Sequence, residues 1–468
     1  DTFLALELSP TTGGFGQIRV AFTDVGAQLE GEETFNGYAY SPPSFGGVGA
    51  PRNGDVWIDY SFADDEVVAG DYLQLLLLHE VGHALGLAHP FADEDEPGKA
   101  VLPLEYDTVR YTVMAYEPYL DRYHTYLEVR EGSLWRIGDT VAPTTPMVFD
   151  IAALQSRYGA DPNTRSGDDI YSWSQDKPLM QALYDAGGVD TFDLSSHTRG
   201  SKIDLTPGAY SSIAYYSAQD QLAYWTALHP SASAFIGEWL DDDDTYTWSD
   251  NLGIAYSTTI ENVRGGAGAD TVFGNAAANV LGGAGGRDRL MGASGDDSLS
   301  GGADEDFLRG EEGDDLLEGG ALWDDMHGNM GSDTLYGGDG GDWVVGGKDP
   351  ALLFGEAGDD LVYGNIGADS LSGGAGADRL LGGQDNDTLA GGDDADFLSG
   401  DRGEDLLWGG AGADTFYAFN GSGGERVMDF NRAEGDQVRI DSGLSPMVSQ
   451  VAEGVVLSLA GGGHMVLV

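Results

Sequence analysis

Every nine residues from Gly265 to Gly409 the chain returns to glycine, seventeen times without exception. Five residues after each of these glycines stands a carboxylate: Asp270, Asp288, Asp297, Asp306, Asp315, Asp324, Asp333, Asp342, Asp360, Asp369, Asp378, Asp387, Asp396, Asp405 and Asp414, with Asn279 and Ala351 the two departures. Two positions further on is always an apolar side chain, from Val272 and Leu281 to Phe416. The unit reads G-G-x-G-x-D-x-U-x, with U apolar. A disordered Gly/Asp-rich tail has no reason to keep the U column, so the period predicts a fold.

The nine residues suggest which fold. Glycines supply the φ > 0 conformations of a tight six-residue turn, and x-U-x makes a three-residue strand with its middle side chain turned inward. Two nonapeptides then close one coil of a parallel β-roll. Residues 18 apart stack about 4.8 Å apart along its axis, which places Asp288 and Asp306 one above the other. Calcium takes about 6 to 8 oxygens and can bridge such turns through the Asp carboxylates and turn carbonyls, so several calcium ions are expected. One apolar residue in nine is a thin core, and without the ions the like charges should keep the segment unfolded. One register is expected to be weak: in Gly346-Gly-Lys-Asp-Pro-Ala351 the carboxylate is missing, unless Asp349 reaches the ion in its place.

Composition excludes several functions. The 468 residues predict two or three domains, and 79 Asp plus Glu against 22 Lys plus Arg give a net charge of −57, which repels nucleic acid and anionic membrane. The array holds 32 acidic and 6 basic residues, leaving 47 against 16 elsewhere, so calcium ligation does not account for the whole excess. With Arg well in excess of Lys, an acidic surface suited to salty water is expected. There is no cysteine, hence no disulfide, thiol nucleophile or Cys-ligated zinc. No run of 18 apolar residues occurs and the opening segment has no basic n-region, so neither a transmembrane helix nor a signal peptide is expected within these residues.

Ahead of the array, residues 71 to 89 read D-Y-L-Q-L-L-L-L-H-E-V-G-H-A-L-G-L-A-H. Asp71 with Gln74 predicts a capping box, Leu73 and Leu75 to Leu78 a helical core, and Gly86 a left-handed helix end. His79 and His83, four apart, share one face of that helix. Once the chain turns at Gly86, His89 can add a third nitrogen. Three histidines and a water form the open tetrahedral site of a catalytic zinc, and Glu80 stands beside it as general base. A helical His pair alone is common in protein cores; H-E-x-x-H-x-x-G-x-x-H is far more specific. Downstream, residues 111 to 116 read Y-T-V-M-A-Y. The remaining histidines, His124, His197, His229, His327 and His464, have no ligand spacing and are expected to be ordinary.

This constellation resembles the serralysin family of metzincin proteases, and the array resembles the RTX calcium-binding repeat. The resemblance implies that Met114 packs beneath the three histidines and that Tyr116 binds zinc at rest and swings to stabilise the reaction oxyanion. Thr112 and Ala115 stand where the family usually has serine. Residues 54 to 60 resemble the strand before the zinc helix, 150 to 161 the helix closing the catalytic domain, and 185 to 193 with 259 to 263 the start of the C-terminal domain. Residues 215 to 249, with the run Asp241 to Asp244, look like an insertion, and seventeen nonapeptides exceed the family's handful. Residues 464 to 468 resemble the apolar tail of type I secretion substrates, without the acidic residue that often precedes it.

The expected fold is therefore multidomain: an α/β metzincin catalytic domain over 1 to 162, the start of a β domain over 163 to 262, an all-β RTX roll over 263 to 418, and a β cap with secretion signal over 419 to 468. The expected function is a secreted, monomeric, zinc-dependent endopeptidase acting on proteins or peptides, with one zinc, several structural calcium ions, and export by type I secretion machinery. The alternative is an RTX adhesin or surface-layer protein with a vestigial protease domain. An RTX lipase is disfavoured because no G-x-S-x-G occurs.

Overall fold

The computed structural model describes residues 19–23, 37–39, 55–59, 70, 72–91, 101–116, 124–139, 141–240, 245–441, 446–451, 454–459 and 462–468. Asp71 and the run Asp241 to Asp244 lie outside them. The chain divides into two compact units, one of residues 1–169, 174–189 and 207–259, the other of 170–173, 190–206 and 260–468. No described helix is long and apolar enough to cross a membrane.

The first unit is mixed α/β. Strands β1 (Arg19–Thr23), β2 (Gly37–Ala39) and β3 (Asp55–Asp59) form a sheet in which β3 is central, parallel to β1 and antiparallel to β2. Helix α1 (Tyr72–Ala84) follows, then the hairpin of β4 (His124–Arg130) and β5 (Ser133–Asp139), then helix α2 (Val148–Tyr158). A core of Val113, Met114, Met147, Val148 and Ile151 is almost fully buried, with Leu75 and Leu78 of α1 packed against it. The segment read as an insertion carries two helices, α3 (Ala218–Leu228), capped by Ser217, and α4 (Ser233–Leu240). Ile236 and Leu240 of α4 share a separate small core with Leu127 of β4.

The second unit is a β-solenoid of two facing ladders, one of 15 strands and one of 11, parallel throughout except for the pairings Met447–Val451 with Gly454–Ser458 and Gly454–Ser458 with His464–Leu467, which are antiparallel. Successive strands of each ladder come from every second nonapeptide, as in Leu299↔Leu317↔Leu335 on one side and Leu308↔Met326↔Val344 on the other. The U residues line the interior, each at most 2 % exposed. Most strands run six residues, not three, because the pair after x-U-x stays in register with the coil below, as in Ala284↔Gly302.

Glycines supply φ > 0 at some turn positions, such as Gly295 (φ 118°) and Gly313 (139°), but not at all of them. From Ala284 onward the second position of each unit has that conformation whether it is Gly302 (φ 113°), Ala284 (75°), Glu311 (79°) or Asn329 (78°). The invariant first glycine does not. There a Cβ would collide with the unit's own aspartate and the next coil's carbonyl, as at Gly364, which is pressed against Asp369 Oδ2 and Gly382 O. Close approach, not backbone freedom, requires glycine at the position that never varies.

Candidate metal centre

Helix α1 ends where its sequence indicates. Gly86 adopts φ 91°, its N–H donates to His83 O (2.9 Å), and the Leu87 N–H donates to Gly82 O (2.9 Å), the double bond of a left-handed helix stop. At the other end Gln74 Oε1 accepts the Gly70 N–H (2.6 Å). The turn at Gly86 brings His89 back to the helix face: its Nε2 is 3.0 Å from His83 Nε2 and 3.3 Å from His79 Nε2.

The remaining ring nitrogens fix the tautomers. His79 Nδ1 lies 2.8 Å from Val113 O and His83 Nδ1 lies 3.1 Å from Leu87 O. A carbonyl only accepts, so both Nδ1 atoms carry hydrogen and both Nε2 atoms present lone pairs to the same point. Lone pairs held this close repel unless a cation sits among them. Burial and the neighbouring His83 and His89 depress the His79 pKa to about 4, which keeps the ring neutral at ordinary pH as a metal ligand requires.

Glu80 is buried, its Oε2 has no hydrogen-bond partner, and desolvation raises its pKa to about 7. The Tyr116 ring lies 5.3 Å from His79 and 4.6 Å from His89, while the residue stays 64 % exposed. Phe91, which the sequence did not single out, stacks on His89 at 4.8 Å and 8°.

The floor of the site also involves residues not singled out before. Met114 is 1 % exposed, and a Cβ at Gly82 would sit 2.5 Å from its sulfur, so Gly82 makes room for the methionine under α1. The turn itself is held by Asp150 of α2, which accepts from Thr112 Oγ1 (2.5 Å), Val113 N (2.8 Å) and Met147 N (2.9 Å). Asp150 thus fixes the carbonyl of Val113 that orients His79.

The second unit holds the aspartates in two columns. From Asp288 onward each Oδ1 accepts the backbone N–H of the residue 18 before it, as in Asp288 N to Asp306 Oδ1 (2.8 Å) and Asp369 N to Asp387 Oδ1 (2.9 Å). The other oxygen, Oδ2, is buried without a partner in Asp288, Asp297, Asp306, Asp315, Asp324, Asp333, Asp342, Asp360, Asp369, Asp378, Asp387, Asp396, Asp405 and Asp414. Asp270 differs, because its Oδ1 accepts the Ser201 N–H (2.6 Å) and its Oδ2 the Gly266 N–H (3.1 Å). Rows of buried, unpaired carboxylate oxygens are what a hard divalent cation would satisfy. Asn279 fills its register as an amide, donating to Glu261 O (3.0 Å).

Comparison with known proteins decides the type. Residues 149–224 match the family model described as peptidase M10 serralysin C terminal, and 257–290, 291–322, 318–349, 354–389 and 390–422 match the RTX calcium-binding nonapeptide repeat. The chain is of serralysin type, with an RTX repeat domain. It is 32 % identical to serralysin of Proteus mirabilis over 266 residues, 53 % of this chain and 45 % of that protein. It is 31 % identical to metalloprotease AprA of Pseudomonas entomophila over 291 residues, 56 % and 51 % of the two chains, and 30 % identical to a serralysin C of Dickeya chrysanthemi over 255 residues, 50 % and 42 %. The chain thus aligns with about half the length of these relatives. The repeat matches pause between 349 and 354, across Pro350 and Ala351.

Proposed function

We propose that this serralysin-type chain is a secreted zinc endopeptidase that hydrolyses peptide bonds of proteins, its RTX roll folded by calcium. The observation that carries the reading is the convergence of the His79, His83 and His89 Nε2 atoms beside the unpaired Glu80 carboxylate. Those three nitrogens would hold the zinc, with Tyr116 as a fourth ligand at rest. Zinc, once bound, lowers the pKa of a water and polarises the scissile carbonyl. Glu80 accepts the water proton and delivers it to the leaving amine, a task suited to a carboxylate whose pKa burial has lifted towards neutrality. Tyr116 is exposed enough to swing, and its hydroxyl then donates to the oxyanion that develops on the substrate.

In the roll, the Asp columns would hold calcium through their unpaired Oδ2 atoms, which couples folding to an ion abundant outside cells and scarce inside them. Export unfolded by a type I route, followed by folding outside as a monomer, fits that coupling. Casein digestion with and without 1,10-phenanthroline tests the reading: cleavage abolished by the chelator and restored by zinc supports it, and no cleavage by the zinc-loaded protein overturns it in favour of an adhesin with a vestigial protease domain.

A further inference from the structure

Beyond the last nonapeptide the columns continue in residues that the period does not reach. The strand Gly424–Val427 pairs in parallel with the last coil through Leu406↔Arg426 and Leu407↔Val427, which sets Glu425 level with Asp405, out of step with the spacing of the array. Glu425 is fully buried, and neither of its carboxylate oxygens has a hydrogen-bond partner. The array aspartates spend one oxygen on a backbone N–H; here that donor, Asp405 N–H, is taken by Gly424 O (3.0 Å), so both Glu425 oxygens remain. The Ser422 hydroxyl, equally buried, and Glu425's own backbone N–H are the donors nearest the carboxylate, and neither reaches it in hydrogen-bonding geometry. Asp405 Oδ2 is also buried and unpaired. The nearby charges that act on Glu425 are those of Asp405 and Asp401, both of its own sign.

We propose that Glu425, Asp405 and the Ser422 hydroxyl form a calcium site outside the nonapeptide array, which fastens the C-terminal strands to the roll. An all-oxygen donor set with two carboxylates suits a hard cation, with backbone carbonyls and water completing its shell. The location gives the ion its role. Gly424–Val427 pairs on its other side with His464–Leu467, which pairs with Gly454–Ser458, which pairs with Met447–Val451. The ion therefore sits at the junction where the roll hands over to its last three strands.

The test uses the full chain and the near-isosteric Glu425→Gln, which distinguishes a metal from a proton on the carboxylate. Native mass spectrometry in calcium is expected to count one ion fewer in the variant. Hydrogen exchange in Gly454–Ser458 and His464–Leu467 is expected to be at least tenfold faster than in wild type with calcium and alike with EGTA. An equal ion count, or unchanged exchange in those strands, overturns the proposal. Should Glu425→Gln fail to fold, Ser422→Ala leaves both carboxylates in place. It is expected to raise several-fold the calcium concentration that protects the same strands, and an unchanged midpoint overturns the proposal.

Discussion

Glu80 shows how one buried oxygen sets a pH dependence. Burial alone lifts its pKa from 4.5 to about 7, and the proposed zinc ion, by favouring the carboxylate, would pull the value back down. As pH falls through that pKa the residue gains a proton and can no longer accept one from water. The acid limb of kcat/KM should therefore titrate between 4.5 and about 7, and a profile flat across that interval would remove Glu80 from its role. Tyr116→Phe should lower turnover roughly 10 to 100-fold, because one oxyanion donor is lost while the three nitrogens remain. Peptide hydrolysis at zinc saturation measures this, and a Phe variant as active as wild type would contradict the assignment. The histidines and Glu80 were legible in the sequence because their spacing is local to one helix and its stop. Gly82 and Asp150 were not, since each acts on the Met114 turn from a different helix, far along the chain, and no local pattern marks such a contact.

The weak register shows the same contrast within one element. The stacking rule places Ala351 between Asp333 and Asp369, and the strand pairing Thr334↔Leu352↔Ser370 puts it there. Its N–H still donates to Asp369 Oδ1 (2.9 Å), but its methyl offers nothing to the Asp333 N–H. Asp349 is directed elsewhere, accepting the Gly331 N–H (3.2 Å) in an exposed position. The opposite column runs unbroken through Asp342 N to Asp360 Oδ1 (2.8 Å). Ala351→Asp should add a charge-assisted bond and a calcium ligand where Gly346 already leaves room, raising the calcium-dependent Tm by about 2–4 °C for each kcal/mol gained. Asp349→Ala should change it little. Scanning calorimetry in calcium checks both, and a Tm lowered only by Asp349→Ala would move the ligand to Asp349. The columns could be read from the sequence because the coil repeats at a constant interval, two nonapeptides to a turn. Glu425 could not, because the longer connection after Asp405 shifts the register by two.

At the scale of the whole molecule, charge couples the fold to its ions. In the ion-free roll, burial and stacked like charges raise the aspartates from 3.8 to values from about 6, as at Asp306, to about 8, as at Asp288 and Asp387. Between 3.8 and those values the folded roll binds more protons than the unfolded chain, so its ion-free stability should fall as pH rises through that window. Calcium should reverse the trend by favouring the charged form. Circular dichroism melts in EGTA from about pH 4.5 to 8 check the sign; a melting temperature that rises with pH would contradict it, as would spectra at pH 8 that are the same in EGTA and in excess calcium. The net charge of −57 also predicts stability and activity that improve with salt, and an optimum at low salt would show that the acidic surface serves another purpose. The central claim is that the three histidines and Glu80 constitute a working zinc protease. It is tested most directly by casein hydrolysis with Glu80→Gln against wild type at equal, measured zinc content. The account predicts that the variant keeps its zinc and fold and loses nearly all turnover, whereas a zinc-loaded variant retaining more than about a tenth of wild-type activity would contradict it.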